Sequence, residues 1–172
     1  CMAAAQPAQA LDLLLQCCDQ VPAAVPLAAP LLVQCAQALN DARATQQVLA
    51  VLQAFDARQA SIDVTEALAQ LDPAADSPMR SPSPRYLAHL RREPSLTLAS
   101  RWLAQANAQT NAQPDTTTAD TPAREAVQQA IEHAAKPLQR YRCAACGFEA
   151  RQHFWHCPGC QAWDSFPARR VE

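Results

Sequence analysis

The residues of this chain best suited to chemistry are four cysteines near its C-terminal end. Cys143 and Cys146 form one C-x-x-C pair, and Cys157 and Cys160 form a second pair after ten intervening residues. Four thiolates bind zinc in a tetrahedron with Zn–S distances of about 2.3 Å, and iron can take the same ligand set. Each C-x-x-C turn can bring two sulfurs to one ion. The spacing therefore predicts one metal site built from these four cysteines.

The two glycines of the chain support this prediction, because both lie in the cysteine segment. Gly147 follows Cys146, where such a turn often needs a residue with positive φ, and glycine takes that conformation at little cost. Gly159 lies inside the second pair, and Gln161 occupies the position equivalent to Gly147. Pro158 stiffens the second turn. The missing glycine weakens that turn slightly without removing it.

Other uses of these cysteines fit the pattern less well. Two disulfides are an alternative, but paired C-x-x-C motifs at this spacing suit a metal better. A redox-active C-x-x-C is single and lies at the start of a helix after a strand, a context missing here. His153 and His156 could replace a cysteine as a ligand, but four cysteines are available. We expect His156 to cap or solvate the turn.

A site closed by four cysteines indicates a structural metal. A catalytic zinc commonly has three protein ligands and one open position, and the sequence contains no phosphate-binding loop, H-E-x-x-H motif or Ser-His-Asp set. We therefore predict a non-enzymatic chain and prefer zinc over iron, which the sequence does not distinguish. The remaining cysteines are predicted to be buried or incidental thiols: Cys1, Cys17, Cys18 and Cys35.

Aromatic residues gather around the four cysteines. Six of the nine in the chain lie here and are predicted to form a small core and a docking surface: Tyr141, Phe148, Phe154, Trp155, Trp163 and Phe166. Segments below about 40 residues usually need a metal or disulfides to fold. Metal binding and folding of this segment should therefore be one event.

The rest of the chain is predicted to be helical, because it is rich in Ala, Gln and Leu. The length of 172 residues suits one medium domain and one small one, and the net charge of −2 argues against a general nucleic-acid binder. Residues 21–40 carry no charge, but three prolines and two glutamines favour a buried helix over a membrane span.

Apolar residues recur at helical spacing in successive segments. The predicted helices are 11–18, a helix from near Pro30 to Asn40, 45–55, 61–71, 86–91, 96–106 capped by Ser95, and a last helix that starts at Thr121 and turns Val127, Ile131 and Ala134 or Ala135 inward. Loops are predicted at residues 76–84 and at about 107–120.

The helices pair at a regular spacing. The first members of the predicted antiparallel pairs centre near residues 34, 66 and 101, a spacing of roughly 33, close to the tetratricopeptide period of about 34. We predict a mostly α fold, with a tetratricopeptide-like α-solenoid over residues 1–136 and a rubredoxin-like or zinc-ribbon metal domain over 137–172. An unspecific helical bundle is the alternative for the first part.

Two segments resemble a known family. Tyr141-Arg-Cys-Ala-Ala-Cys-Gly-Phe148, followed by Phe154-Trp-His-Cys-Pro-Gly-Cys-Gln-Ala-Trp163 and Pro167, resembles the rubredoxin-like domain of the lipopolysaccharide assembly protein B family, which are tetratricopeptide proteins of Gram-negative bacteria. Tyr86-Leu-Ala-His-Leu-Arg-Arg-Glu-Pro-Ser-Leu96 resembles the last repeats of that family. The resemblance is specific over residues 84–170 and architectural before them. By position, the metal ligands of the family fall on Cys143, Cys146, Cys157 and Cys160.

The resemblance implies a cytoplasmic adaptor that an N-terminal helix anchors to the inner membrane. Family members present the lipid A-pathway deacetylase to a membrane AAA+ protease and link lipopolysaccharide synthesis to transport components. Against the pattern that the resemblance implies, neither the anchor nor the early repeats are found in this sequence. It begins with Cys1, which we interpret as a fragment. A lipoprotein with a lipidated first cysteine is the alternative, but no signal peptide is visible and paired thiolates favour a reducing compartment.

Two other functions are compatible with a four-cysteine site. Rubredoxins use it with iron for electron transfer, although their cysteine pairs are farther apart in sequence. Zinc ribbons use it to bind nucleic acid. Five arginines and three acids near the site give a charge of about +2, which four thiolates with one divalent ion reduce to about zero, so we expect no nucleic-acid partner.

Overall fold

The computed structural model describes residues 6–71, 84–112, 121–138 and 140–171. The chain divides into two compact units, Cys1–Pro73 and Ala74–Glu172. The described part is mostly helical, with packed helices and a small C-terminal domain that contains a two-stranded sheet. The predicted fold class is therefore confirmed at this level. The predicted domain boundary between residues 136 and 137 and the tetratricopeptide type of the helix pairs stay predictions.

The described residues of unit 1 form a packed group of four α-helices. They are α1 (Pro7–Gln20), α2 (Val25–Leu39), α3 (Ala42–Asp56) and α4 (Ile62–Gln70). Helix α2 contacts the other three, and α3 also contacts α4. The apolar positions that recur every three or four residues meet in this core, where Leu32, Val48, Leu52 and Val64 are fully buried. Apolar residues at helical spacing therefore supply much of the core of unit 1.

The junction between α2 and α3 follows the local sequence. Asn40 has φ 48° and ends α2 in the left-handed conformation that asparagine tolerates. Asp41 then begins α3, and its Oδ2 accepts a hydrogen bond from the N–H of Ala44 at 3.0 Å. The predicted break at Asn40-Asp41 is confirmed.

The predicted start of α2 near Pro30 is wrong. A short 3-10 turn at Pro22–Ala24 precedes α2, which already begins at Val25, so Pro30 lies inside the helix. A proline there removes one helical hydrogen bond and crowds the preceding turn. Eight buried residues of α2 and its contacts with α1, α3 and α4 outweigh that local cost, and the ring of Pro30 itself is exposed.

By length and composition, Pro22–Leu39 is apolar enough to cross a membrane. Its three prolines and two glutamines therefore do not by themselves exclude a membrane span, contrary to the expectation from the sequence. Within unit 1, however, 44% of this stretch is buried, mostly on α2. The core helix of a folded domain passes the same length and composition test. The prediction of a buried helix at this position is confirmed by the packing of α2.

The described residues of unit 2 form three more helices. They are α5 (Pro84–Arg92), α6 (Leu96–Ala112) and α7 (Thr121–Ala135), and α6 contacts both neighbours. Ser95 caps α6 as predicted, because its Oγ accepts a hydrogen bond from the N–H of Leu98 at 3.1 Å. Leu98 is fully buried. The predicted loop at 76–84 lies outside the described residues up to position 83, and Pro84 already belongs to α5.

Two predictions for α6 and α7 are wrong. The loop expected from Asn107 is helical through Ala112, while residues 113–120 lie outside the described part. Asn107 is buried, and its Nδ2 donates a 2.8 Å hydrogen bond to Oε1 of Gln128 on α7. This contact between helices stabilises a polar stretch that local composition assigns to a loop. Val127, expected on the inner face, is 53% exposed, whereas Ala135 is buried.

Candidate metal centre

The cysteine segment is built from two turns that are held by minimal strand pairing. Strand β1 (Tyr141–Arg142) pairs antiparallel with β2 (Glu149–Ala150) and encloses the first turn. An isolated bridge between His156 and Trp163 encloses the second turn. We name residues 143–148 the first knuckle and residues 157–162 the second knuckle. Each knuckle therefore has its two ends fixed by backbone pairing, which positions its cysteines.

The two knuckles have the same backbone hydrogen bonds. In the first, the N–H of Cys143 donates to the carbonyl of Phe148 at 2.9 Å, and the N–H of Gly147 donates to the carbonyl of Cys143 at 2.9 Å. In the second, the N–H of Cys157 donates to Ala162 and the N–H of Gln161 donates to Cys157, both at 2.9 Å. Equal spacing of the cysteines therefore gives two equivalent turns.

The position after each C-x-x-C pair has a left-handed backbone. Gly147 has φ 76°, as predicted, and Gln161 has φ 61°. The second knuckle therefore reaches the same conformation with a residue that tolerates it less well. Gly159 serves a different purpose, because a Cβ at this position would lie 3.3 Å from the Phe148 side chain. Space beside Phe148, and not turn conformation, therefore favours glycine at position 159.

The knuckles bring the four predicted sulfurs together. All four Sγ atoms lie within 4.8 Å of one another. The Sγ–Sγ distance is 3.8 Å between Cys143 and Cys160, and 3.7 Å between Cys146 and Cys157. A regular tetrahedron with metal–sulfur bonds of about 2.3 Å has edges of about 3.8 Å, whereas a disulfide is about 2.05 Å long. The sulfur spacing fits one tetrahedral ion and excludes disulfides in this structure.

Comparison with known proteins agrees with this geometry. Residues 141–167 match a protein family described as "Rubredoxin metal binding domain". Lipopolysaccharide assembly protein B of Escherichia coli strain K12 is 50% identical over 34 residues, which are 19% of this chain and 9% of that protein. The proteins of the same name from E. coli O157:H7 and from E. coli O6:H1 strain CFT073 match equally well.

The cysteine segment therefore matches the family of rubredoxin metal binding domains and is similar to part of lipopolysaccharide assembly protein B. The predicted resemblance is thereby confirmed where its motifs are most specific. We call residues 140–171 the rubredoxin-type domain. The match spans only 9% of the length of the curated relatives, so the similarity of the helical part to their repeats stays a prediction. The predicted cofactor, one metal ion held tetrahedrally by four cysteines, is confirmed as a type of site. The structure does not distinguish zinc from iron as its ion.

The sulfurs differ in exposure within each knuckle. Cys143 and Cys157, the first cysteine of each pair, are buried, while Cys146 and Cys160 are exposed. Backbone N–H groups point at the sulfurs, among them that of Gly159, which donates to Sγ of Cys157 at 3.4 Å. Such donors stabilise thiolate charge where water is excluded. The residues present therefore fit a thiolate-bound metal.

Hydrogen bonds within the cluster shift the thiol pKa values in opposite directions. The Ser165 hydroxyl, aided by backbone amides, lowers the pKa of Cys143 to about 6 despite its burial. The Phe148 amide favours the Cys146 thiolate, but hydrogen bonding with neighbouring thiols, Cys160 first, and burial raise the pKa of Cys146 to about 12. A metal ion must displace the proton that the cluster retains, so metal binding strengthens as pH rises.

Neither histidine of the domain belongs to the sulfur cluster. His153 donates from Nε2 to the carbonyl of Phe166 at 2.9 Å, and its ring contacts the ring of Tyr141 edge-on. His156 stacks against Trp163 with ring centroids 4.7 Å apart. His153 therefore serves the small core, whereas His156 packs on the outside of the second knuckle.

The aromatic residues of the domain divide between core and surface. Tyr141 and Phe166 are buried, whereas Trp155 is 59% exposed and Trp163 is 74% exposed. The buried aromatic core of the domain is therefore Tyr141 and Phe166, and the docking role of the exposed aromatic residues stays a prediction. The two exposed tryptophans form a surface feature that the metal site itself does not require.

The described cysteines outside the cluster lie in two helices of unit 1. Cys17 is exposed and its neighbour Cys18 is buried on α1, as expected for adjacent residues of a helix, and Cys35 is buried on α2. Burial, with a smaller contribution from Cys17, raises the pKa of Cys18 to about 11. Cys1 lies outside the described residues.

Sequence reasoning missed one residue at the site. Ser165 lies five positions after Cys160, outside both C-x-x-C pairs. Its hydroxyl is 3.2 Å from Sγ of Cys143, and its carbonyl accepts a 2.7 Å hydrogen bond from the N–H of Ala144. No spacing rule connects a serine at this distance to the motif, so the sequence carried no signal for it.

Proposed function

We propose that Cys143, Cys146, Cys157 and Cys160 ligate one structural metal ion, with zinc preferred over iron. The observation that supports this most directly is the spacing of their sulfurs, within 4.8 Å of one another and close to the edge length of a thiolate tetrahedron. Four protein ligands leave no open position for a substrate or an activated water. The ion would therefore hold the domain together without taking part in a reaction.

We further propose that this protein is a non-enzymatic adaptor in lipopolysaccharide assembly. The 50% identity of its rubredoxin-type domain to lipopolysaccharide assembly protein B supports this role. By resemblance, its partners are the lipid A-pathway deacetylase, a membrane AAA+ protease and lipopolysaccharide transport components. By the same resemblance, the protein would act on the cytoplasmic side of the inner membrane.

Exposed aromatic side chains support a role in protein binding. Trp155 and Trp163 are more than half exposed on the rubredoxin-type domain. Tryptophan is enriched in protein interfaces relative to the rest of the surface. We propose that the adaptor binds proteins through this domain as well as through its helices. Trp163 makes the sharper test, because at 74% exposure it contributes little to the core.

Deletion and complementation in the encoding bacterium test the adaptor role. Loss of the gene should raise the level of the deacetylase and of lipopolysaccharide, and the full-length wild-type gene should restore both. The Cys157→Ser variant should fail to restore them. Unchanged deacetylase and lipopolysaccharide levels in the deletion strain would refute the regulatory role.

A capture experiment tests the binding surface. The Trp163→Ala protein should retain its metal but recover less protease and deacetylase from detergent-solubilised membranes than wild type does. Gln152→Ala, an exposed position of the same domain, is the matched control and should bind as wild type does. Equal recovery by both variants would exclude Trp163 from the interface.

Electron transfer is the second candidate function. The exposure of Cys146 and Cys160 favours it, since a redox centre needs an edge open to its partner. A reversible one-electron wave in the iron-loaded protein, together with reduction by a physiological donor, would support this candidate. Absence of iron from protein purified from its native host would refute it.

A further inference from the structure

Ser165 joins the two knuckles of the rubredoxin-type domain. Its backbone carbonyl accepts the N–H of Ala144 in the first knuckle at 2.7 Å. Its hydroxyl lies 3.2 Å from Sγ of Cys143 in the first knuckle and 3.2 Å from the carbonyl of Ala162 in the second. One residue therefore contacts a predicted metal ligand, the turn beside it and the opposite turn.

The hydroxyl has one proton and two acceptors to choose between. When Cys143 is a thiol, its S–H donates to Oγ of Ser165, and the Ser165 O–H donates to the carbonyl of Ala162. A metal-bound thiolate has no proton to donate. The hydroxyl must then turn toward the sulfur for this contact to persist, and a donor to a charged acceptor makes the stronger hydrogen bond.

Turning the hydroxyl leaves no acceptor unsatisfied. The carbonyl of Ala162 also accepts a 2.9 Å hydrogen bond from the N–H of Cys157, so it keeps one donor after the Ser165 hydroxyl has rotated toward the sulfur. Cys143 is 1% exposed, which leaves its sulfur little access to water as a replacement donor. The Ser165 hydroxyl is therefore the side-chain donor best placed to stabilise this buried thiolate.

We propose that Ser165 is a positioning residue of the metal centre, whose hydroxyl donates a hydrogen bond to the Cys143 thiolate and so strengthens metal binding. The inference rests on the proposed four-cysteine metal site. Outer partners of metal ligands typically change affinity by about 10- to 100-fold when they are removed. The backbone link from Ala144 to the carbonyl of residue 165 persists in any variant, so substitution should weaken the site without dismantling it.

The test uses the whole chain with zinc and with cobalt(II), which reports thiolate bonding through its charge-transfer absorption. Ser165→Ala should bind zinc about tenfold more weakly than wild type in competition with a chromophoric chelator. Its cobalt charge-transfer band should move to lower energy, because a sulfur without the hydrogen bond is a better electron donor. Ser165→Thr retains the hydroxyl and should restore both the affinity and the band position.

Several outcomes separate this inference from the metal site itself. If Ser165→Ala binds zinc within twofold of wild type and its cobalt spectrum is unchanged, the inference is wrong while the metal site stands. If wild type binds no metal, the proposed function fails first. If Ser165→Ala takes up no metal, the Ser165→Thr variant decides the question. Metal binding by Ser165→Thr supports the role of the hydroxyl, and its failure to bind metal refutes that role.

Discussion

Substitution of Cys157 by serine tests whether the metal holds the rubredoxin-type domain together. Cys157 is fully buried and supplies one of four clustered sulfurs. Serine keeps the size of the side chain but replaces a thiolate with a neutral hydroxyl, which is a poor ligand for zinc. The metal should therefore be lost or held weakly. Since metal binding and folding are linked in domains this small, the domain should unfold.

The magnitudes favour that outcome. A structural zinc contributes about 10–16 kcal/mol in zinc-finger peptides at pH 7, whereas whole domains are stable by only ~5–15 kcal/mol. Apart from cysteines, the buried hydrophobic residues within 140–171 are Tyr141 and Phe166. Burial of one large apolar side chain contributes about 1.5–3 kcal/mol. So small a core does not replace the metal.

Hydrogen exchange measured by mass spectrometry gives the readout. In wild type, the knuckle amides of Cys143, Gly147, Cys157 and Gln161 are hydrogen bonded and should be protected. In Cys157→Ser, peptides covering 141–167 should exchange at the rates of an unfolded chain, while peptides from unit 1 keep their protection because that unit has its own core. Chelator treatment of wild type should give the same pattern.

The exposed Cys17 provides the matched control, because it lies on α1 of unit 1 and is not one of the four clustered cysteines. Cys17→Ser should retain one equivalent of metal and full protection of the knuckle amides. The reasoning is refuted if Cys157→Ser retains its metal and its protection, or if it loses the metal while the knuckle amides stay protected. The second result would mean that the protein core alone holds the fold.

Three further predictions concern a cap, a turn and a buried thiol. Ser95→Ala should lower the free energy of unfolding by about 1 kcal/mol in urea titrations, because the N–H of Leu98 loses its acceptor; an unchanged midpoint would contradict the cap. Gln161→Gly should tighten zinc binding by up to about fivefold in chelator competition, because glycine takes φ 61° without the cost of about 1 kcal/mol that a side chain imposes; weaker binding would contradict the strain. Iodoacetamide at pH 8 should alkylate the exposed Cys17 far faster than Cys18, whose pKa of about 11 leaves about one thiolate in a thousand. Because that folded pKa is raised, its contribution to stability holds below about pH 9 and is lost as pH rises toward 11; equal labelling of both thiols in the native protein would refute the burial.

The local part of the fold was predictable because its causes are local. Cap residues such as Asp41 and Ser95 act through hydrogen bonds three positions ahead, and their effect is visible in the sequence. The C-x-x-C pairs are also local features, since the three-residue spacing of the cysteines and the left-handed residue that follows define each knuckle. These features need only a few neighbouring residues, so a pattern contains nearly all of the information that determines them.

The errors fall where contacts between distant segments decide the structure. Local rules place a helix start near Pro30, yet α2 already begins at Val25 and continues through Pro30 because packing in unit 1 stabilises the helix. Asn107 belongs to a polar stretch typical of loops, yet it lies in a helix, and its side chain donates a hydrogen bond to Gln128, 21 positions away. In both cases the stabilising contact comes from a segment outside the local sequence, so the local pattern alone predicts the wrong secondary structure.

The same division applies within the metal centre. A metal ligand is recognised in the sequence because only certain residue types bind metal through their side chains. The groups that hold the ligands in place act largely through backbone hydrogen bonds, which almost any residue type can make. The knuckles share one hydrogen-bond pattern although Gly147 and Gln161 differ at the left-handed position. What distinguishes the knuckles is outside the motif, since the Ser165 hydroxyl contacts a sulfur of the first. Because four thiolates leave no open coordination position, such outer residues would change how tightly the ion is held rather than what it catalyses, and this is the behaviour expected of a structural metal.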